Sequence, residues 1–256
     1  MDLGLKGKRA IVTGGTRGIG RAIAEALLAE GANVALCARS ADGVEATLTA
    51  LGSAERVVVG DAVDVSDRAR VHAWVTRAAE LLGGLDLVVC NASAFTPGNT
   101  DDSWRSLLEI DVLGALRVFE TALPLLEAAA SQRGDASVVV IGSVSSTEAA
   151  NLSAYGAMKA ALVHMVKGLA REHAARRVRV NLVSPGTVYF PGGVWHNLER
   201  RAPDFFRAMM KKNPTGRMAT TAEVATAALF LLSPVSGFTT GSNLIVDGAL
   251  SQRVNY

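Results

Sequence analysis

A tyrosine and a lysine stand four residues apart at the start of a segment with helical periodicity, at Tyr155 and Lys159. On a helix this spacing puts the phenol and the ammonium on one face, one turn apart. A phenol ordinarily loses its proton only at about pH 10, but positive charge beside it favours the phenolate. The pair predicts that Tyr155 exchanges a proton with an alcohol or carbonyl oxygen, although the same spacing also arises by chance on helix surfaces.

A serine is the next candidate for the same chemistry. Ser143 lies twelve residues before Tyr155, just after the apolar run 138–141. Its hydroxyl can hydrogen-bond the oxygen that Tyr155 protonates and so hold a substrate for hydride transfer. Serine is also common in the turns that follow strands, so Ser143 indicates catalysis only in combination with Tyr155 and Lys159.

Three glycines, Gly14, Gly18 and Gly20, join the apolar run 10–12 to the helix-like segment 21–30. Glycine lets the chain turn sharply and bring its backbone N–H groups close to an anion, and the following helix directs the positive end of its dipole there. The stretch therefore predicts a diphosphate site. The alternative is that the glycines serve only the packing of a tight strand-to-helix turn.

The end of the second apolar run bears on the choice of cofactor. Dinucleotide folds that bind NAD place an acidic residue there, which binds the adenosine ribose. This chain has Ala38, followed by Arg39, and Arg17 lies in the glycine turn. Two guanidinium groups near a ribose favour a 2′-phosphate, and hence NADP(H). The alternative is that both arginines are exposed loop residues.

Short apolar runs alternate with longer segments of helical period, which predicts a parallel sheet with helices on both faces. The expected fold is α/β, a doubly wound sheet of seven strands at residues 9–13, 34–37, 57–59, 85–90, 138–141, 178–183 and 244–246. In such a sheet ligands bind at the carboxyl ends of the strands. The stretch 187–220 has no clear strand, and long connections of this kind are usually functional.

Composition limits the number of domains and the kinds of partner that the protein is expected to have. With 256 residues, 49% of them hydrophobic, the chain is expected to form one domain over 1–256. The net charge of +2 and the scattered basic residues argue against nucleic acid as a partner. The four histidines lack ligand spacing, so we expect no metal, and Cys37 and Cys90 read as buried thiols. The charged N-terminus and the absence of a long apolar run predict a cytoplasmic protein with no membrane partner.

Further short motifs follow in order along the chain: Thr13-Gly14-x-x-x-Gly18-x-Gly20, Asp64-Val65, Asn91-Ala92, Ser143, Tyr155-x-x-x-Lys159, Asn181, Pro185-Gly186-Thr187, Gly216-Arg217 and Val246-Asp247-Gly248. Over nearly its whole length the chain resembles the short-chain dehydrogenase/reductase family, most of all its NADPH-dependent 3-oxoacyl-carrier-protein reductases and related ketoreductases. The resemblance implies a single-domain Rossmann fold and an enzyme that interconverts a ketone and a secondary alcohol.

The resemblance also implies roles for individual residues. Tyr155 is then the general acid or base, Lys159 binds the nicotinamide ribose and favours the phenolate, and Ser143 positions the carbonyl. Asp64 and Val65 contact adenine, Asn91 and Ala92 line the cofactor, and the segment from Pro185 to Val188 cradles the nicotinamide. The full set expected to bind the cofactor is Gly14, Thr16, Arg17, Gly18, Ile19, Gly20, Ala38, Arg39, Asp64, Val65, Asn91, Ala92, Tyr155, Lys159, Pro185, Gly186 and Val188.

Three departures from the family pattern stand out. The usual Asn-Asn-Ala-Gly after the fourth strand is here Cys90-Asn91-Ala92-Ser93, which alters the tightest part of that turn. The serine and the tyrosine are separated by one residue fewer than is often found, a change that we expect the turn 144–152 to absorb. The asparagine expected seven residues after Trp104 is Asp111.

Asp111 is a candidate catalytic residue with two possible consequences. The family's asparagine sits at a helix kink and helps hold a water that links the lysine to solvent, whereas an ionised aspartate only accepts hydrogen bonds. In one case Asp111 stays ionised beside Lys159 and the backbone holds the water. In the other the relay is weakened. We favour the first, because Ser143, Tyr155 and Lys159 are all present.

The stretch 188–210 is rich in aromatic and methionine side chains where the family keeps its substrate loop, here about 187–220. This favours a bulky apolar or aromatic ketone, free rather than carrier-bound, although the same side chains suit simple packing onto the core. Small residues on the segments 112–130 and 154–169 predict a homotetramer, as is usual in the family. The competing function is a catalytically weak nucleotide-binding regulator or scaffold, which loss of Tyr155 or Lys159 would indicate.

Overall fold

A parallel sheet of seven strands forms the centre of the protein, which a computed structural model describes for residues 2–52, 55–96, 98–149 and 151–254. The strands are β1 (Arg9–Thr13), β2 (Asn33–Ala38), β3 (Val58–Ala62), β4 (Leu87–Cys90), β5 (Ala136–Ile141), β6 (Val178–Pro185) and β7 (Asn243–Val246). Their order in the sheet is β3-β2-β1-β4-β5-β6-β7. The predicted α/β class, the seven strands and the double winding are confirmed.

The direction of winding reverses beside β1. The chain runs from β1 through β2 to β3, and then crosses back to place β4 on the other side of β1. The loops that follow β1 and β4 therefore diverge at the carboxyl end of the sheet and leave a crevice between them. The glycine turn follows β1, and Asn91 follows β4.

Helices cover both faces of the sheet. They are α1 (Gly18–Ala29), α2 (Ala41–Leu51), α3 (Arg68–Leu82), α4 (Asp101–Leu107), α5 (Gly114–Arg133), α6 (Ala154–His173), α7 (Val194–Arg201), α8 (Pro203–Lys212) and α9 (Thr221–Leu232). Between α4 and α5 the segment Leu108–Leu113 is a π-helical turn. The stretch 187–220 thus contains two short helices, α7 and α8.

The alternation of side chains along β1 divides the apolar core into two layers. Ile11 packs with α3, α5 and α6 on one face, where Trp74 and Leu162 are buried. Ala10 and Val12 point to the other face and pack with α1, α2 and α9. Because successive side chains of a strand point to opposite faces, a strand buried on both faces needs a continuous apolar run. All five residues of β1 are buried accordingly.

A buried ion pair ties β1 to the residues that precede β4. The Arg9 Nε lies 2.7 Å from Asp86 Oδ2, and the Asp86 side chain is fully buried. Burial opposes ionisation of this carboxyl, but hydrogen bonds from the side chain and backbone of Arg9 outweigh it, so the pKa of Asp86 lies below its usual value. Asp86 therefore helps to hold two central strands in register.

Both thiols are free and buried, as predicted for Cys37 and Cys90. Burial raises the pKa of Cys90 to about 12 and that of Cys37 still further, so neither is a reactive thiolate. In the part of the chain that the structure describes, no three metal-binding side chains cluster together. Nor does any helix there have the length and apolar character needed to cross a bilayer.

Candidate active site

The glycine turn between β1 and α1 requires glycine at three positions, either for its backbone angles or for lack of space. Gly14 and Gly18 have φ angles of +64° and +56°. A Cβ on Gly20 would lie 2.3 Å from the carbonyl oxygen of Gly14, and one on Gly14 would lie 2.8 Å from Nδ2 of Asn91. Glycine is therefore required both for the turn and for the close approach of α1 to β4.

The N-terminus of α1 is prepared for an anion. Its N-cap residue, Arg17, makes no side-chain capping hydrogen bond, and its first turn has no acidic residue. By contrast, Ser40 caps α2 and Ser153 caps α6 through their hydroxyls. The first N–H groups of α1 thus have no side-chain acceptor, and the helix dipole is uncompensated. This cradle suits the diphosphate of a dinucleotide.

Asn91 connects the loop after β4 to the glycine turn. Its side-chain amide donates to the carbonyl oxygens of Thr13 and Gly14 at 3.0 and 3.1 Å, and its contact with the cofactor stays a prediction. In return, the Thr13 hydroxyl accepts from the backbone N–H groups of Asn91 and Ala92. These contacts join the ends of β1 and β4, so both donors of the Asn91 amide already brace the glycine turn.

The two arginines expected at a 2′-phosphate are exposed at the carboxyl ends of β1 and β2. Arg17 lies in the glycine turn, and Arg39 follows Ala38, the last residue of β2. Asp64, expected to contact adenine, lies within the electrostatic reach of Arg39. Burial raises the pKa of Asp64, but hydrogen bonds from Ser66 and the charge of Arg39 outweigh burial and lower it. Arg39 and Asp64 therefore lie near one another at the carboxyl ends of β2 and β3.

Tyr155 and Lys159 lie in the first turns of α6, as their spacing predicted. The Lys159 side chain is nearly fully buried, and its Nζ donates to the carbonyl oxygen of Ile141 at 3.0 Å. The same Nζ lies 5.5 Å from the centroid of the Tyr155 ring. Because water screens a buried charge only weakly, the positive charge of Lys159 acts on the Tyr155 side chain at this distance.

Ser143 begins the short 3₁₀ turn Val144–Ser146 after β5 and is 8% exposed. Its Oγ accepts from the backbone N–H of Ser145 at 3.1 Å, which leaves its own hydroxyl hydrogen for another acceptor. A Cβ on Gly156 would lie 2.8 Å from the carbonyl oxygen of Ser145. Gly156 therefore lets the serine turn lie directly against α6 beside Tyr155. The predicted turn 144–152 includes Ala150, which lies outside the described residues.

Asp111 forms a buried ion pair with the lysine. It lies in the π-helical turn, and its Oδ2 is 3.1 Å from Lys159 Nζ. Oδ2 also accepts from the Ser93 hydroxyl at 2.6 Å, and Oδ1 accepts from the backbone N–H of Ala94 at 2.9 Å. Two departures from the family pattern, Ser93 and Asp111, are thus in direct contact. Three hydrogen-bond donors, one of them the Lys159 ammonium, thus meet one carboxylate.

The predicted substrate loop, 187–220, is pinned at its base. Val188 pairs with Ala219 in a parallel bridge, and Gly186 approaches β7 so closely that a Cβ would lie 2.8 Å from Cβ of Asp247. Beyond this base neither α7 nor α8 has a fully buried side chain. Aromatic contacts instead join the loop's parts, including stacked Trp195 and Phe205 with centroids 6.3 Å apart.

Two aromatic residues that the sequence did not single out complete the site. Phe190 lies on the glycine turn, since a Cβ on Gly18 would be 2.7 Å from the end of its ring. Phe95 lies beside the catalytic candidate, with its ring centroid 5.2 Å from that of Tyr155. In the sequence Phe190 was noted only as part of the aromatic stretch 188–210, and no spacing pattern marks Phe95. The structure thus brings the glycine turn, α6, the loop after β4 and the substrate loop to one end of the sheet.

A doubly wound parallel sheet with a glycine turn at the reversal point, and a Ser–Tyr–Lys set at the same end, defines a dinucleotide-binding oxidoreductase. Comparison with known proteins agrees. Residues 14–251 match the family profile described as enoyl-(acyl carrier protein) reductase. The chain is 36% identical over 257 residues to isoepoxydon dehydrogenase of Penicillium expansum, covering 98% of this chain and 97% of that protein.

Two further relatives span nearly complete chains. The 3-oxoacyl-(acyl-carrier-protein) reductase of Escherichia coli is 32% identical over 255 residues, covering 97% of this chain and 99% of its own. A short-chain dehydrogenase of Burkholderia cenocepacia, solved in complex with NADP, has a TM-score of 0.84 at 30% identity, with 96% and 99% of the two chains covered. The protein belongs to the short-chain dehydrogenase/reductase family. It is an oxidoreductase that interconverts carbonyl and alcohol groups with a nicotinamide dinucleotide.

Proposed function

We propose that the protein is an NADP(H)-dependent ketoreductase in which Tyr155, Lys159 and Ser143 carry the reaction. The observation that supports this most directly is the placement of Lys159. Its ammonium is buried, bonded to the Ile141 carbonyl oxygen and 5.5 Å from the Tyr155 ring. A regulator or scaffold would not need a buried cation held at a phenol, because burying a charge is costly.

The chain's own groups account for the movement of the proton. When bound, NADPH supplies the hydride. The Tyr155 hydroxyl donates its proton to the carbonyl oxygen as the alcohol forms, and accepts it in the reverse reaction. Lys159 stabilises the phenolate that results. The Ser143 hydroxyl, whose hydrogen is free, donates to the same oxygen and holds it in place.

The cofactor is NADP(H) rather than NAD(H). Arg17 and Arg39 extend from neighbouring strand ends, and Ala38 stands where an NAD enzyme carries an acid. The glycine turn and the uncapped N-terminus of α1 receive the diphosphate. Pro185, Gly186 and Val188 hold the nicotinamide end, near α6.

The substrate is a free ketone with a bulky apolar or aromatic group. The support comes from the substrate loop, where Trp195 and Phe205 stack and Tyr189 packs edge-on against Phe206. The relatives are named for different substrates, so their names favour no single compound. Adjacent basic residues in the loop form only two short pairs, Arg200-Arg201 and Lys211-Lys212, which gives little support for a carrier-bound phosphopantetheine.

The enzyme acts as a cytoplasmic homotetramer. Helices α5 and α6 form the interface, and the surface of α6 supports this, because a Cβ on Gly168 would meet nothing within 4 Å. Such open positions let a helix of another subunit approach closely. Light scattering at micromolar concentration gives four times the chain mass if this is right, and a monomer mass contradicts it. Cell fractionation tests the location.

Activity is tested with a panel of ketones, with NADPH consumption followed by absorbance. Tyr155→Phe should lose at least ~1,000-fold in kcat, as expected when a general acid is removed. Lys159→Met should also lose most activity, whereas Lys167→Met is the matched control. Lys167 is on the same helix, but its Nζ donates to the Gly241 carbonyl oxygen in an exposed hydrogen bond. Equal activity in Tyr155→Phe and wild type would refute the proposed mechanism.

A further inference from the structure

The loop after β4 carries an aromatic ring in an unfavourable backbone conformation beside Tyr155. Phe95 has a φ of +48°, in the left-handed region that residues with a Cβ rarely adopt. Its ring centroid is 5.2 Å from that of Tyr155, with the planes tilted by 34°. Bulky residues keep such a conformation only where their surroundings impose it, and such residues concentrate at functional sites.

The constraint on Phe95 is visible in the hydrogen bonds of its two neighbours. Asp111 accepts from the Ser93 hydroxyl at 2.6 Å and from the Ala94 backbone N–H at 2.9 Å. Asp111 is itself held by Lys159 at 3.1 Å. The chain just before Phe95 is therefore anchored to the same lysine that acts on Tyr155, and the anchor directs the Phe95 ring toward the phenol.

A second exposed apolar residue belongs to the loop that leads into α6. Leu152, three residues before Tyr155, is 72% exposed, and Phe95 is 57% exposed. Asn99 connects their two loops, because its amide donates to the Leu152 carbonyl oxygen at 2.9 Å and accepts from the Ala154 backbone N–H at 2.8 Å. Exposed apolar side chains are the usual lining of a ligand site, and of these two Phe95 is in contact with Tyr155.

We propose that Phe95 and Leu152 form an apolar rim that binds the carbon skeleton of the substrate next to Tyr155. The inference rests on the proposed ketoreductase function and adds to it two specificity-determining residues outside the substrate loop. The rim selects ketones that carry an aromatic or bulky apolar group, since such a group covers the free faces of both side chains. Small ketones react without using it.

Two matched probes test the rim, 4-phenyl-2-butanone and 2-butanone, which have the same methyl ketone end. Wild type should prefer the phenyl compound in kcat/KM. Phe95→Ala should reduce this preference roughly tenfold, mainly through KM, because it removes an aromatic contact and its buried area. Its kcat/KM should fall less with 2-butanone than with the phenyl compound, because the small ketone has no ring for Phe95 to contact. Phe95→Tyr keeps the ring and should keep the preference.

Phe230→Ala is the control, since Phe230 is a comparably exposed phenylalanine, 43%, on α9. It should leave both probes unaffected. The proposal is overturned if Phe95→Ala keeps the wild-type preference with an unchanged melting temperature. It is overturned equally if wild type reduces other ketones but shows no preference for the phenyl probe. Failure to reduce any ketone would instead contradict the proposed function.

Discussion

Replacing Asp111 by asparagine removes one negative charge and one acceptor atom from the centre of the site. In the native structure Lys159, Ser93 and Ala94 all donate to the carboxylate, which can only accept. An asparagine has one acceptor oxygen, and its amide nitrogen must face one of these donors. In the less costly orientation the oxygen keeps Lys159 and Ser93, and the nitrogen opposes the N–H of Ala94.

The expected loss of unfolding free energy follows from that geometry. One buried donor left without a partner costs about 1–3 kcal/mol. If Lys159 were the donor left unpaired, the cost would approach the roughly 3–5 kcal/mol of a broken buried ion pair. We expect the lower range, which lowers the melting temperature by about 3–10 °C in a chain of this size. Ser93→Ala, which keeps the carboxylate and the lysine paired, should cost about 0.5–1.5 kcal/mol.

The effect of Asp111→Asn on kcat should be small, although its effect on the free energy of unfolding is not. Tyr155, Lys159 and Ser143 remain in place in Asp111→Asn, so its kcat with the best ketone and saturating NADPH should stay within about tenfold of wild type. Thermal melts and steady-state kinetics on the same preparations measure the two effects. An unchanged melting temperature would show that the three hydrogen bonds are not all formed. A loss in kcat beyond ~100-fold would show that the carboxylate takes part in the chemistry.

Three other perturbations have defined outcomes. Wild type should prefer NADPH over NADH by at least ~100-fold in kcat/KM, and Arg39→Ala should chiefly raise the KM for NADPH; equal use of both cofactors would refute the assignment. Gly156→Ala should reduce kcat without abolishing folding, because its Cβ pushes the Ser145 carbonyl, 2.8 Å away, and Ser143 with it; Gly52→Ala, whose Cβ would have no neighbour nearer than 3.5 Å, is the control and should leave kcat unchanged. Since folding lowers the pKa of Asp86 below 3.8, its ionised form contributes stability that is present above that pH and is lost as the pH falls through the lower folded value. In Asp86→Asn that acid-dependent contribution should disappear from urea titrations across pH, leaving a protein destabilised at neutral pH.

Much of the fold follows from local sequence pattern. Every predicted strand is present, because a strand buried on both faces must be continuously apolar and such runs are readable from sequence. The ends differ by a few residues, as for the run 138–141, which extends back to Ala136 in β5. The strand-turn-helix character of the glycine turn is equally local, since it needs positive φ at Gly14 and Gly18 within a few residues.

The spacing of Tyr155 and Lys159 likewise required only the period of a helix, and the structure places both on α6. Their catalytic roles remain predictions, as does the single domain over the full chain. The contacts that give each site residue its partners were not readable in this way. The Asn91 amide, for example, bonds Thr13 and Gly14 because β4 returns beside β1, and no local pattern indicates these partners.

The surroundings of the lysine depend wholly on the tertiary structure. Sequence comparison marked Ser93 and Asp111 as separate departures from a family pattern, with no sign that one hydroxyl donates to the other's carboxylate at 2.6 Å. That contact, the ion pair to Lys159 and the position of Phe95 on Tyr155 join segments far apart in the chain. Sequence periodicity reports on which face of its own element a residue lies. Which residue of another element it meets is decided only when the loops at the carboxyl end of the sheet close on one another.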